Sequence, residues 1–325
     1  MTYSVELISI GRKSEMVGRY NSKVLHEVKS DLYGCCIKLL TVKRPIRDRW
    51  EENFYFASQS IRSHGRLYVV EDPSEEENTV YYDPQSKTAF LINIDYYGWI
   101  KSLALSLAGD VLEDEHDIYS VHGACLDVRG KGVCLMGGSG AGKTTHTYGL
   151  LRNPQVRVVS DDWFYARIYG DNILAYGSEK NFYIRADLAT IWKEFDRLVR
   201  DAEFDNLGRA VVDLRQVIGK GRILPLTTLD TLIILKRDQE DKETIKKLEV
   251  AEALEVLEDN DYFNPHFLVR NEIKRNLRSN FFEALLSRTK VYQINTTGTP
   301  EDGQNIIKNI AGLKSEIHMI AKNSP

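Results

Sequence analysis

The chain has 325 residues, 42% hydrophobic and 28% charged, an ordinary balance for a globular protein, and its length favours two domains over one. A net charge of −4 provides no basic field of the kind nucleic-acid binders use, so nucleic acid is excluded as the expected partner. The start, Met1 to Glu6, lacks the basic and apolar regions of a signal peptide, and the longest mostly apolar stretch, Ile100 to Leu112, is interrupted by Lys101 and Asp110 and is too short to span a bilayer. A cytoplasmic protein without membrane association is expected. Cys35-Cys36, Cys125 and Cys134 form no CxxC and no set with histidine at metal spacing, and read as small buried hydrophobes in a reducing compartment.

From Thr2 to Asp95 short alternating segments such as 36–42, 66–70 and 89–94 read as strands, separated by turn chemistry at Asp72-Pro73-Ser74 and Asp83-Pro84-Gln85. Glu75-Glu76-Glu77 reads as a solvated loop. Residues 96–112 carry Ile100, Leu103, Leu107 and Leu112 near helical spacing and lead into Glu113-Asp114-Glu115, the expected boundary between a smaller β-rich module (1–114) and a nucleotide-binding domain (115–325). That domain opens with apolar runs 118–128 and 132–136 joined by hairpin chemistry at Arg129-Gly130. A short helix to Leu151 follows, then strands at 156–160, 163–168 and 173–175, a helix over 187–204, and a buried strand at 229–235. Helices over 267–286 and 303–320 flank a strand at 291–294. Hairpins mixed with helices predict a mixed α/β sheet.

Gly137-Gly138-Ser139-Gly140-Ala141-Gly142-Lys143-Thr144 fits GxxxxGK[ST] at every constrained position and follows the apolar run 133–136, with Thr145 next. Glycines let successive backbone N–H groups curl around a phosphate, and a helix beginning near Gly142 aims its positive end at the anion. Lys143 is placed to reach the β and γ phosphates of ATP and Thr144 to hold Mg2+. Asp161-Asp162 closes the strand 156–160, where an acidic residue is the usual partner of a loop threonine on Mg2+. Two adjacent carboxylates repel each other unless a cation or a proton intervenes, which a base paired with a metal ligand would explain. His122 lies on the strand before the loop; a lone strand histidine is more often structural than functional. Arg209, Asp213, Arg215, Lys220 and Arg222 form a glycine-punctuated segment that could close over the γ-phosphate, with Arg215 the best single choice; scattered solvated charge is the competing reading.

The string from His122-Gly123 through the phosphate loop to Val159-Ser160-Asp161-Asp162 resembles the catalytic domain of the HPr kinase/phosphorylase family, which shares its nucleotide-binding core with phosphoenolpyruvate carboxykinases. Gly140-Ala141-Gly142-Lys143-Thr144-Thr145 is similar to the carboxykinase GTGKTT. The resemblance covers about residues 118–186 and is absent from the first hundred. It implies a phosphoenolpyruvate-carboxykinase-like mixed-sheet fold, with His122 as the active-site histidine, Lys143 and Thr144 as phosphate and Mg2+ residues, Asp161 as base and Asp162 as metal ligand. Arg185 looks like the arginine of the family's Glu-x-Arg segment, but Tyr183 stands where that glutamate would be, with Glu179 a conceivable substitute. The implied activity is an ATP- and Mg2+-dependent kinase acting on a hydroxyl of a protein, peptide or metabolite. A nucleotide-gated regulatory module and a carboxykinase-type lyase are the alternatives. A homo-oligomer is compatible with the sequence.

Overall fold

The computed structural model describes residues 3–76 and 78–313. The described residues form two compact units, the first within 1–120, 178–181 and 264–279, and the second within 121–177, 182–263 and 280–325.

Unit 1 is built on a seven-stranded mixed sheet. Its elements run β1 (Ser4–Leu7), α1 (Ile10–Tyr20), β2 (His26–Leu32), β3 (Cys35–Thr41), α2 (Arg44–Asn53), β4 (Tyr55–Phe56), β5 (Gly65–Val70), β6 (Thr79–Asp83), β7 (Thr88–Ile92) and α3 (Tyr97–His116). The strand order is β1-β6-β7-β5-β3-β2-β4. Two helices stand where only strands were expected, and both have local causes. At α1 the Ser9 hydroxyl accepts from Arg12 N, while Met16 and Tyr20 share one buried face. At α2 a proline occupies the first turn, and Ile46 and Trp50 are buried. Glu113-Asp114-Glu115, the expected boundary, lies inside α3. Glu113 is buried against Lys274 Nζ (3.0 Å) and Arg278 Nε (2.9 Å), and the units part between Ser120 and Val121. All four cysteines of the chain are free and buried, and burial pushes the Cys35 thiol up to about 12.

Unit 2 contains a nine-stranded mixed sheet formed by β8 (Tyr119–His122), β9 (Ala124–Val128), β10 (Lys131–Gly137), β11 (Val156–Ser160), β12 (Trp163–Tyr169), β13 (Asn172–Gly177), β16 (Leu226–Lys236), β17 (Ile245–Lys247) and β18 (Lys290–Asn295). A separate pair joins β14 (Phe182–Arg185) to β15 (Arg209–Val212). The helices are α4 (Lys143–Leu151), α5 (Leu188–Ile191), α6 (Asp196–Arg200), α7 (Arg215–Ile218), α8 (Val250–Asp259), α9 (Glu272–Leu286) and α10 (Pro300–Ile310). The expected run 118–128 divides at Gly123: β8 lies at the sheet edge beside β12, whereas β9 sits between β11 and β10. Long β16 runs parallel to both β10 and β18 and antiparallel to β13, giving the mixed α/β character expected.

The expected helix 187–204 is broken into α5, a 3-10 turn at 193–195 and α6. Trp192 is extended (φ −127°, ψ 96°) and its indole Nε1 donates to Thr145 O at 2.8 Å, so tertiary contact overrides a continuous helical face. The C-terminal helix begins at Pro300 with a Thr299/Asp302 capping box and ends at Ile310. The part expected over 314–320 lies outside the described residues.

Candidate functional site

β10 feeds the glycine loop from the middle of the sheet, and α4 leaves it at Lys143. Gly137 has φ 152°, and a Cβ there would stand 2.5 Å from Leu235 O on β16, so no larger residue fits where strand becomes loop. Gly142 caps α4 with φ 100°. Residues 138–140 are exposed, while Tyr148, Leu150 and Leu151 anchor α4 in the core shared with Leu126, Leu135 and Ile233. Thr296 Oγ1 donates to Ala141 O at 3.0 Å and thereby braces the loop from the end of β18. The first turn of an α-helix leaves its N–H groups without intrahelical partners, and that of α4 opens directly from the exposed stretch 138–140.

Lys143 turns back on the loop, its Nζ donating to Gly137 O at 2.6 Å and Gly138 O at 3.4 Å. Burial lowers its pKa, and the nearby Asp162 carboxylate offsets part of that effect. Asp161 and Asp162 follow β11 as expected but occupy different environments. Asp161 is buried, and its Oδ2 accepts from Tyr183 N at 2.7 Å. Asp162 is half-exposed, with Oδ1 3.4 Å from His122 Nε2. The other His122 nitrogen, Nδ1, hydrogen bonds to Phe263 O. Because a carbonyl only accepts, Nδ1 carries a proton and Nε2 faces Asp162. His122, Lys143 and Asp162 are thus brought into one electrostatic neighbourhood, with Asp161 adjacent in the chain.

The carbonyl that fixes His122 belongs to an unusual segment. Asp261, Tyr262 and Phe263 have φ values of 46°, 55° and 55°, three successive left-handed residues without glycine. Tyr262 is buried and stacked on Phe282, with ring centroids 4.6 Å apart, which holds the turn against its strain. Sequence reasoning missed this contact because the atom that fixes His122 is a backbone oxygen. Tyr183 N escaped for the same reason.

The arginines divide. Arg185 ends β14, largely exposed, with Nε 3.4 Å from Asp187 and Arg209 opposite it in the ladder. Arg215 begins α7, and its Nε donates to Asp213 Oδ1 at 2.6 Å. Arg222 is not part of an anion-binding cluster: its guanidinium donates to Leu151 O, Asn153 O and Val156 O, closing the end of α4 and the turn into β11. Glu179 is buried in unit 1, with Lys101 Nζ 3.2 Å away and Asn53 Nδ2 donating at 2.8 Å.

Thr144 and Asp162 offer hard oxygen donors, a set that suits Mg2+ when nucleotide phosphates and water complete its shell. Among the described residues no group of three or more His, Cys, Asp or Glu could hold a metal unaided. No described helix is long and apolar enough to cross a membrane.

No family model matches the chain. Over 154 residues it is 29% identical to the phosphoenolpyruvate carboxykinase (ATP) of Aeropyrum pernix, a stretch covering 43% of this chain and 31% of that protein. The chain therefore spans about a third of the length of the curated relative it matches. A solved structure of the Hpr(Ser) kinase/phosphatase from Coxiella burnetii aligns with 60% of this chain and 92% of its own, at 11% identity and a TM-score of 0.34.

Proposed function

We propose that unit 2 is an ATP- and Mg2+-dependent phosphotransferase that moves the γ-phosphoryl group to a hydroxyl, on a serine of a protein or peptide or on a small metabolite. The observation that carries this reading is the juxtaposition of Lys143, on a glycine loop between β10 and α4, with the carboxylate of Asp162 and the imidazole of His122. When ATP enters, Lys143 exchanges two loop carbonyls for phosphate oxygens, and the N–H groups of residues 138–144 cradle the chain of phosphates. Thr144 and Asp162 would hold Mg2+, which would supply charge neutralisation at the phosphates. Asp161, oriented by Tyr183 N, accepts the acceptor's hydroxyl proton while that oxygen bonds to the γ-phosphorus and the bond to the ADP oxygen breaks. His122 is held by Phe263 O with its Nε2 beside Asp162, where it would donate to that carboxylate or to the phosphates only as the imidazolium. Arg185 and Arg215 remain proposed charge-stabilising residues, each resting on an aspartate until nucleotide draws it away.

A second reading is favoured by the similarity to a phosphoenolpyruvate carboxykinase (ATP): the same γ-phosphoryl group would pass to the enolate oxygen released as oxaloacetate loses CO2. Incubation with γ-labelled ATP and Mg2+, with serine peptides and hydroxyl metabolites in one set and oxaloacetate in the other, separates the two. Label in a stable phosphate monoester of a hydroxyl acceptor supports the kinase. Labelled phosphoenolpyruvate with stoichiometric CO2 overturns it in favour of the lyase. ATP loss that no acceptor accelerates favours a nucleotide-gated module.

A further inference from the structure

Unit 1 carries a second concentration of charge that the nucleotide site does not use. In the sheet register Lys29 on β2 lies opposite Lys38 on β3, and Lys38 opposite Arg66 on β5. Three cations therefore stand side by side on one sheet face, although like charges directly opposite each other destabilise strand pairs. Val28, Ser30 and Leu32 of β2 point the other way into the core, so register fixes which face the row occupies. The next row on the same face is Glu27, Leu40, Tyr68 and Phe90, and Tyr68 stacks on Phe90 at 4.8 Å. Met16 and Tyr20 of α1 join those residues in a core cluster, so the helix covers the apolar row and leaves the cationic one at its margin.

A cavity of about 300 Å³ opens at that margin. Its floor is the cationic row, and Val17, Leu40 and Tyr68 line its apolar side. Lys29 Nζ donates to Gln59 O (2.8 Å) and Ile61 O (2.9 Å), which pins the loop that brings Arg62 and Ser63 to the rim. Four cations line the cavity against one carboxylate, Glu27, which is already paired with Lys38. Among the described residues no carboxylate forms an ion pair with Arg62 or Arg66, and an incoming anion would supply the missing counter-charge.

We propose that this cavity binds a small molecule with a phosphate head and a compact apolar body. Arg62, Arg66 and Lys38 would grip the phosphate, and the body would lie along Val17, Leu40 and Tyr68. The guanidinium forks suit the geometry of a phosphate better than ammonium groups alone. The volume admits one ring beyond the head group.

The test uses the full chain without Mg2+ and titrates it calorimetrically with inorganic phosphate and with phenyl phosphate. Lys143→Ala serves as background, so that the glycine loop does not contribute. Saturable one-to-one binding of phenyl phosphate is expected, tighter than inorganic phosphate and weakening steeply with salt. Adding Arg62→Ala and Arg66→Ala should lower that affinity at least about tenfold, while Arg62→Lys with Arg66→Lys should lower it less. Circular dichroism and the thermal midpoint check that the variants fold. Affinity unchanged by the paired alanines, or no saturable binding in the Lys143→Ala background, overturns the proposal. Equal affinity for both ligands overturns the apolar half of it. Because the binding is read apart from phosphoryl transfer, failure here leaves the reading of unit 2 standing.

Discussion

Among the described residues, the Lys143 ammonium donates to two loop carbonyls, and both belong to the segment that would surround a phosphate. Its removal should therefore cost chemistry and not folding: Lys143→Ala is expected to abolish nucleotide-dependent turnover with the thermal midpoint nearly unchanged. Near-normal turnover at saturating ATP would mean the site is misplaced. The adjacent aspartates should separate. Asp161→Asn is expected to lower turnover by about 10²–10⁴-fold with ATP affinity retained, because an amide cannot accept the proton. Asp162→Asn should instead raise the Mg2+ concentration needed for half activity, an amide being a poor ligand for a hard cation. Identical metal titrations for the two variants would contradict that division. At this scale the placement of the spaced motif was legible, since the loop ending in Lys143 does stand between a strand and a helix. It was silent on Phe263 O and Tyr183 N, since every residue has such atoms and only the fold aims them. It misled at Arg222 because an arginine among glycines looks the same whether its partners are phosphates or the carbonyls ending α4.

At the level of elements, α4 packs against α10 through a histidine. His146 is 2% exposed, with Nδ1 3.2 Å from Gln304 Oε1, and Gly303 leaves it room: a Cβ on that glycine would come within 2.8 Å of the ring. Burial lowers the His146 pKa below its ordinary 6.5, the Gln304 hydrogen bond opposing this only partly. The unfolded chain then binds this proton more readily than the folded one, so stability is complete above 6.5 and falls as pH drops below it. His146→Gln, which has no titrating ring, should shrink the difference in urea midpoint between pH 7 and pH 5. An unchanged difference would assign the acid sensitivity elsewhere. Element prediction succeeded where periodicity and packing agree, as along α3. It failed at 187–204, where Leu188, Phe195 and Leu198 are all buried but Trp192 leaves the helix to reach Thr145 O. α1 was missed although Ser9 and the spacing of Met16 and Tyr20 announced it, because flanking strand segments dominated the reading.

Across the whole molecule, the division into units was only partly legible. The acidic run 113–115, expected to mark the boundary, lies inside α3, where Lys274, 161 positions later, meets Glu113. Likewise, nothing local assigns residues 178–181 to unit 1, yet Glu179 and Lys101 are 5% and 2% exposed there and face each other. Lys101→Met should destabilise the chain by about 3–5 kcal/mol, since it strips a buried carboxylate of a cation. Denaturant unfolding would show this as a lower midpoint, and an unchanged midpoint would argue that Glu179 is neutral. The claim on which both the kinase and the carboxykinase readings depend is that ATP phosphates sit in the loop between β10 and α4. Backbone amide NMR shifts on saturation with Mg2+ and a non-hydrolysable ATP analogue test it most directly. The expected result is that the largest changes fall on residues 137–145, His122 and Asp161-Asp162 and vanish in Lys143→Ala; changes centred elsewhere, or none, would contradict it.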